Sequence, residues 1–268
     1  MAEAFLKWAG GKRWFVQNES HRLPDKTEFN KYYEPFLGGG SVFFYIEPKT
    51  ATLSDCNDEL IKTFLAIRDD FEAVYQELCV HQDNDCKDYY YQIRSNIYAD
   101  PVKAAARMIY MNNVCFNGIY RVNKDGLFNV PYGSGKKAKF NYEKLKESSE
   151  ALRGKEIVVQ DYLTSINQAN DDDFVFCDPP YAVKTDDSFV GYNRKTFNWE
   201  DQEKLAEAVI RAAERGVKIM ITNVAADEVV KLYDPNVFSL DYVDRKCRIA
   251  GGTAGRKIYK ELIATANI

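Results

Sequence analysis

The sequence predicts an α/β fold in which short buried strands alternate with helices. Apolar runs of strand length lie at 51–54, 174–177 and 217–222. A helical pattern that begins at the cap residue Asn198 and ends at Gly216 separates the last two of these runs. This alternation of strands and helices is typical of an open, mainly parallel sheet.

The strand pattern stops for about a third of the chain, where the residues predict helices instead. Asp100-Pro101 has the form of a helix start, with a cap followed by proline in the first turn. Apolar residues recur at helical spacing in the segment before it: Leu60, Phe64, Ile67, Phe71, Val74 and Leu78. Strand composition returns only at 156–160. We therefore expect a mainly helical domain at 57–145, inserted into a discontinuous domain formed by 1–56 and 146–268.

A β-hairpin is predicted near the end of this insertion. Two β-prone runs within 116–133 flank the turn sequence Lys124-Asp125-Gly126. Arginine hydrogen-bonds guanine and asparagine hydrogen-bonds adenine in the major groove of DNA. The hairpin carries both residue types, namely Arg121 and the asparagines Asn117, Asn123 and Asn129. Aromatic residues lie beside them in the sequence, and we expect these aromatic side chains to be exposed. A solvated surface hairpin without a nucleic-acid role is the alternative.

The composition predicts a soluble, cytoplasmic protein with a full hydrophobic core. The chain has 268 residues, of which 46% are hydrophobic and 28% are charged. No apolar stretch approaches the ~20 residues of a membrane span, and residues 1–12 lack the apolar region of a signal peptide. The six cysteines form no CxxC pair and do not cluster with the two histidines. We therefore expect neither a metal site nor a disulfide framework.

The charges are distributed unevenly along the chain. The formal net charge is −4. Between residues 103 and 146, however, nine basic residues accompany only two acidic ones, Asp125 and Glu143. Such a segment predicts contacts with the phosphates of a nucleic acid, which weaken steeply as salt is added. Solubilising charge on an exposed face is the alternative.

A glycine-rich turn and an acidic residue follow the first predicted strands. Gly38-Gly39-Gly40 precedes a short apolar helix, and the strand at 51–54 ends at Asp55. This layout is typical of a nucleoside-binding α/β unit, in which the acid binds the ribose hydroxyls. The full GxGxxG pattern is absent, so a flexible turn without a ligand remains the alternative.

Residues 178–181, Asp-Pro-Pro-Tyr, directly follow the apolar run that ends at Cys177. This sequence suits methyl transfer to a planar exocyclic amine, whose nitrogen lone pair is delocalised into the ring. Asp178 and the carbonyl of Pro179 offer two hydrogen-bond acceptors that hold the nitrogen near tetrahedral geometry. Tyr181 offers a stacking surface for the base. A strand that simply ends in a proline turn is the alternative, and Cys177 is expected to be a core thiol.

Several motifs together resemble the Dam family of DNA adenine-N6 methyltransferases. The similarity covers nearly the whole chain and rests on these segments in order: 5–12, 34–40, Asp55, Asn117-Gly118, 129–131 and 178–181. It implies a seven-stranded Rossmann-like methyltransferase sheet with an inserted, mainly helical target-recognition domain carrying the hairpin. It also implies S-adenosylmethionine as methyl donor, no metal, and adenine in duplex DNA as acceptor, most commonly within GATC. A monomer is expected, with any cognate restriction enzyme not bound.

The resemblance also implies roles for individual residues. Those predicted to act on the adenine are Asp178, Pro179, Pro180 and Tyr181. Those predicted to contact the cofactor are Trp8, Lys12, Gly38, Gly40, Asp55 and Asp178. Those predicted to contact DNA are Lys7, Phe116, Asn117, Ile119, Arg121, Asn129, Pro131, Lys136 and Lys137. Many relatives have arginine where this chain has Ser134, and we expect Lys136 and Lys137 to replace its phosphate contact.

The residues alone leave two further hypotheses open. The second hypothesis is a cytosine-N4 or RNA-adenine methyltransferase, because the amino groups of both bases are planar and suit the same two acceptors. A DNA-binding module without turnover is the third hypothesis, although every residue of the acceptor motif is present.

Overall fold

A computed structural model describes residues 2–133, 137–181, 197–246 and 258–268. The chain divides into two compact units. The first unit comprises 1–26, 37–49 and 55–159, and the second comprises 27–36, 50–54 and 160–268. The predicted division into a discontinuous catalytic domain and an inserted recognition domain is a functional one, and it stays a prediction.

The described residues form seven strands in one sheet. The strands are Tyr32–Glu34 (β1), Ala51–Asp55 (β2), Glu156–Val159 (β3), Phe174–Cys177 (β4), Lys218–Val224 (β5), Ser239–Lys246 (β6) and Ile258–Ala266 (β7). Their order in the sheet is β3-β2-β1-β4-β5-β7-β6. β1 is parallel to β2 and β4, and β4 is parallel to β5. β7 is antiparallel to both β5 and β6. The predicted Rossmann-like α/β sheet is therefore confirmed.

The order of the strands reverses direction between β1 and β4, which pair through Tyr32↔Phe174 and Tyr33↔Val175. Open α/β sheets bind ligands outside the carboxyl ends of their strands at such a point. β1 ends at Glu34 and β4 ends at Cys177, so both strands run toward the same edge of the sheet. Asp178 therefore lies where this fold class holds its ligands.

The described residues also form nine α-helices. The described α-helices are Arg13–Asn18 (α1), Ser41–Ile46 (α2), Asp58–Asp83 (α3), Lys87–Ser95 (α4), Pro101–Val114 (α5), Tyr142–Leu152 (α6), Tyr162–Gln168 (α7), Trp199–Glu214 (α8) and Asp227–Val230 (α9). None of them is long and apolar enough to cross a membrane.

The core of the second unit lies between the sheet and α8. All four residues of β4 are fully buried. Leu205, Val209 and Ala212 on one face of α8 are also fully buried and belong to the same core cluster. A capping box fixes the start of α8, because the Asn198 side chain accepts from the backbone of Asp201 and the Asp201 side chain accepts from the backbone of Asn198. Such a cap contributes about 1 kcal/mol.

The predicted helices of the first unit are confirmed at their starts. Asn57 Oδ1 accepts from the backbone N–H of Leu60 at 3.1 Å, and Asp100 Oδ1 accepts from that of Lys103 at 2.8 Å. α3 bends at Asp70, whose φ of −153° and ψ of 64° are not helical. Helix α4 was not predicted, because its cap position is a cysteine that makes no side-chain cap.

The predicted hairpin is confirmed as an irregular one. It contains the antiparallel bridges Cys115↔Tyr132 and Val122↔Phe128. Asn123 Oδ1 accepts from the backbone N–H groups of Asp125 and Leu127, at 3.0 and 2.9 Å. Asn123 therefore shapes the turn. The expectation that the hairpin aromatics are exposed is wrong for Phe128, which is buried.

Candidate functional site

Asp178 is held by a residue from the neighbouring strand. Cys177 pairs with Ile221, so β5 continues for three residues past the end of β4 and places Thr222 next to Asp178. The Thr222 hydroxyl donates to Asp178 Oδ1 at 3.0 Å. Thr222 is fully buried. A carboxylate oriented in this way has a fixed direction in which it can accept further hydrogen bonds.

The residue that follows Asp178 is a proline. Pro179 is buried and has no N–H, so its backbone offers only a carbonyl.

Cys177 is fully buried, and burial followed by the charge of Asp178 raises the pKa of its thiol well above the usual value. The thiol therefore stays protonated, and the prediction of a core cysteine is confirmed.

Tyr181 is fixed by residues of the antiparallel edge. Burial, followed by the negative charges of Asp178 and Glu261, raises the pKa of Tyr181 well above its usual value. The protonated phenol hydrogen-bonds the Glu261 carboxylate, which also accepts from Arg245 Nη1 at 2.6 Å. Glu261 and Arg245 therefore hold the ring of Tyr181 in place.

The glycine turn and Asp55 are joined by a direct hydrogen bond. The backbone N–H of Gly38 donates to Asp55 Oδ2 at 3.1 Å, and that of Asn57 donates to Oδ1 at 3.0 Å. Burial raises the pKa of Asp55, and the N–H groups of Gly38 and Asn57 oppose that rise. Gly40 adopts φ +66° directly before helix α2, where glycine carries no steric cost.

Trp8 lies against the same turn. A Cβ placed on Gly38 would be 2.7 Å from Trp8 Cδ1, and the φ of Gly38 is +48°. The turn therefore requires glycine at this position. Lys12 is buried, and its Nζ donates to the carbonyl of Gly10 at 3.3 Å. The first unit thus brings together Trp8, Gly38 and Asp55.

The hairpin presents several of the predicted DNA-contacting residues to solvent. Arg121 and Pro131 are exposed, Phe116 is 51% exposed, and Ile119 is half-buried. Asn117 is exposed and adopts φ +57°, a conformation that asparagine tolerates better than most residues. Arg121 Nε donates to Asn129 Oδ1 at 2.7 Å, which orients the guanidinium along the hairpin.

Not all basic side chains of the segment 103–146 lie at the surface. A cavity of about 390 Å³ is lined by Lys7, Asn113, Lys137 and Lys139, and Lys7 Nζ donates to the carbonyl of Asn113 at 3.1 Å. Arg107 was counted among the basic residues, but it is buried and pairs with Glu59 at 2.9 Å. It therefore contributes to the packing of the helices. Lys136 lies outside the described residues.

The sequence did not predict the residues that support Asp178, Tyr181 and Trp8. The supporting residues are Thr222, Glu261, Arg245 and, stacked on Trp8, Tyr120. The signal for Thr222 was present, because the strand at 217–222 was predicted, but its register against β4 was not. Among the described residues, no group of three or more His, Cys, Asp or Glu side chains is placed to hold a metal ion.

The strand order and the Asp-Pro-Pro-Tyr sequence after β4 define an α/β enzyme of the methyltransferase class. Residues 8–249 match the model of the family described as D12 class N6 adenine-specific DNA methyltransferase. The chain therefore belongs to this family, and it is an adenine-specific DNA methyltransferase.

Individual relatives agree with this assignment and confirm the predicted resemblance to the Dam family. The type II methyltransferase M1.LlaDCHI of Lactococcus lactis subsp. cremoris is 36% identical over 248 residues, which are 88% of this chain and 87% of that protein. The DNA adenine methylase of Vibrio cholerae serotype O1 is 34% identical over 267 residues, 97% of this chain and 95% of that protein. The DNA adenine methylase of Escherichia coli (strain K12) is 34% identical over 97% of this chain and 94% of that protein.

Proposed function

We propose that the protein moves a methyl group from S-adenosylmethionine to the N6 amine of an adenine turned out of duplex DNA, within the sequence GATC. The observation that carries this proposal is the position of Asp178, at the carboxyl end of β4 and oriented by the Thr222 hydroxyl at 3.0 Å. When bound, S-adenosylmethionine supplies a methyl group attached to a positively charged sulfur.

The reaction depends on how the chain holds the amine. Asp178 accepts one N–H of the adenine amine, and the carbonyl of Pro179 accepts the other. These two acceptors draw the nitrogen lone pair out of the ring and stabilise the positive charge that develops on the nitrogen. Because Thr222 fixes the carboxylate in advance, little reorganisation is required during the reaction.

Tyr181 compensates for the loss of stacking when the base leaves the duplex. Unstacking and unpairing a base costs a few kcal/mol, and stacking on an aromatic side chain returns about 1–3 kcal/mol. The hydrogen bond from the Tyr181 hydroxyl to Glu261 keeps the ring in one orientation. Pro180 stiffens the backbone between the acceptor pair and this ring.

The residues of the first unit suit the nucleoside and amino-acid parts of the donor. Asp55 is anchored at the end of β2 by backbone N–H groups, and a carboxylate in that position suits ribose hydroxyls. Trp8 offers an aromatic surface beside the Gly38 turn. We assign Gly40 and Lys12 to the same donor site, Lys12 because it places a buried positive charge near Gly10.

The hairpin supplies recognition of the DNA sequence. Arg121 is exposed and suits bidentate hydrogen bonding to a guanine, while Asn117 suits an adenine. Phe116 is half-exposed and suits the space that a displaced base leaves. Ile119 and Pro131 provide apolar contacts to neighbouring base pairs.

The lysines supply contacts with the DNA backbone. Lys7 and Lys137 line one cavity, where the positive charges favour phosphate oxygens. We assign Lys136 to the same surface and Asn129 to the support of Arg121. We further propose that the inserted segment 57–145 is the recognition domain, and that the protein works as a monomer without a bound restriction enzyme.

Mapping of modified bases tests this function. The protein is expressed in bacteria that lack adenine methylation, and the genomic DNA is sequenced for modified bases. We expect N6-methyladenine at GATC and no modification when Asp178→Ala is expressed at the same level. Methylated adenine in another sequence would contradict the target, and unmodified DNA from the unchanged protein would contradict the activity.

A further inference from the structure

One aromatic residue of the hairpin contacts the residues assigned to the donor. Tyr120 directly precedes Arg121, and its ring stacks on Trp8 with centroids 5.1 Å apart and an interplanar angle of 21°. The same Trp8 ring lies against Gly38, whose backbone N–H binds Asp55. A single ring pair thus joins the glycine turn to the hairpin.

The position of Tyr120 is fixed from the other side as well. Its hydroxyl donates to Glu59 Oε2 at 2.8 Å, and Glu59 Oε1 accepts from Arg107 Nη1 at 2.9 Å. The ring also meets Phe128, on the opposite arm of the hairpin, edge to face at 5.8 Å. Tyr120 therefore depends on helix α3, on α5 and on both arms of the hairpin.

The backbone on either side of this stack is anchored by one buried residue. Asn112 Oδ1 accepts from the backbone N–H of Lys7 at 2.9 Å, and Asn112 Nδ2 donates to the Lys7 carbonyl at 2.8 Å. Asn112 Nδ2 also donates to the carbonyl of Gly118 at 3.3 Å. The chain next to Trp8 and the base of the hairpin are therefore held to the same point.

We propose that Tyr120 is a positioning residue that couples donor binding to recognition of the DNA sequence. This inference rests on the proposed function, because it requires a donor beside Trp8 and a base beside Arg121. A donor in contact with the Trp8 ring removes the motion that remains in the Trp8–Tyr120 pair, and with it that of the backbone from which Arg121 extends. DNA that orders Arg121 acts in the reverse direction. Each ligand then meets an already ordered ring pair, so each binds more tightly in the presence of the other.

The coupling is measured as a ratio of dissociation constants. S-adenosylhomocysteine, which carries no transferable methyl group, is titrated into the protein with and without saturating target duplex. For the unchanged protein we expect at least about fivefold tighter binding with DNA, within the usual range of such couplings. For Tyr120→Leu, which removes the ring, we expect this ratio to fall below about twofold. Tyr120→Phe keeps the ring and should retain most of the ratio.

The chain offers a matched control in Tyr142. Like Tyr120, it is half-buried, contacts other aromatic rings and donates its hydroxyl to a glutamate of α3, Glu72, at 3.2 Å. It belongs to no proposed ligand site. Tyr142→Leu should therefore leave the ratio unchanged while it loses a comparable set of contacts. Thermal melting of both variants shows that they are folded at the temperature of the titration.

The outcomes separate the inference from the function on which it rests. If the unchanged protein binds neither S-adenosylhomocysteine nor duplex DNA, the proposed function fails. If it binds both, the coupling role of Tyr120 is overturned by any of three results. These are a ratio of one in the unchanged protein, a ratio that Tyr120→Leu leaves intact, or an equal loss in Tyr142→Leu.

Discussion

Replacing Asp178 with asparagine keeps the size of the side chain and changes its hydrogen bonding. One oxygen remains to accept from the Thr222 hydroxyl, which lies 3.0 Å away. An amide NH2 then stands where the second carboxylate oxygen was, and it is a donor that faces another donor, the N–H of the adenine amine. The variant therefore loses both an acceptor and a negative charge next to the nitrogen that becomes positive.

The size of the effect follows from the loss of one preorganised interaction with developing charge. Removing such an interaction lowers kcat by about 10² to 10³. We expect Asp178→Asn to show this decrease in single-turnover transfer of labelled methyl to duplex DNA. The dissociation constant for DNA should change by less than about twofold, because contacts with the phosphates supply most of the affinity for DNA.

Thr222→Val is the matched variant for this prediction, since it keeps the shape of the side chain and removes only the hydroxyl. The carboxylate stays in place but loses its orientation, and we expect kcat to fall by about tenfold, equivalent to ~1.4 kcal/mol. A kcat for Asp178→Asn within about tenfold of the unchanged protein would refute the role assigned to the carboxylate.

Three further perturbations test other parts of the structure. Gly38→Ala should lower the free energy of unfolding in urea by about 1–3 kcal/mol, because the left-handed backbone costs ~1–2 kcal/mol and the new Cβ lies 2.7 Å from Trp8 Cδ1; unchanged stability would contradict the described turn. Arg121→Ala should reduce discrimination at one guanine-bearing position by about 1–3 kcal/mol, whereas equal weakening on all sequences would mark a phosphate contact. Burial lowers the pKa of His81 to about 4, so the unfolded chain binds this proton first as the pH falls from ~6.5. Stability should then decrease between about pH 6.5 and 4, by up to ~3 kcal/mol, and His81→Gln should flatten this dependence, whereas His21→Gln, at an exposed position, should leave it intact.

Local signals in the sequence were sufficient for strands β2, β3, β4 and β5 and for helices α2, α3, α5 and α8, whereas α1, α4, α6, α7 and α9 were not predicted. The apolar run at 174–177 predicted β4, because a strand buried on both faces needs four adjacent apolar residues. Asp100 and Asn198 predicted helix starts, and each accepts a backbone N–H three residues later in the structure. Helix α4 has no such cap, whereas α6 and α7 begin at the caps Asn141 and Asp161 and were still not predicted.

The supporting contacts of the site depend on pairings between distant residues. Thr222 is 44 residues from Asp178, and only the register of β5 against β4 brings them together. Arg107 was read as part of a basic surface, yet it is buried against Glu59, 48 residues away. No periodicity or local motif encodes such a partner. The residue types of the candidate site were therefore predictable, but the contacts that orient them were not.

The most direct test is a crystal structure of the protein with S-adenosylhomocysteine and a duplex that contains its target sequence. We predict that the adenine lies outside the base stack, with its N6 within hydrogen-bond distance, about 2.7–3.2 Å, of both the Asp178 carboxylate and the Pro179 carbonyl. An adenine that remains paired in the duplex, or an Asp178 side chain that contacts neither the base nor the donor, would contradict the account.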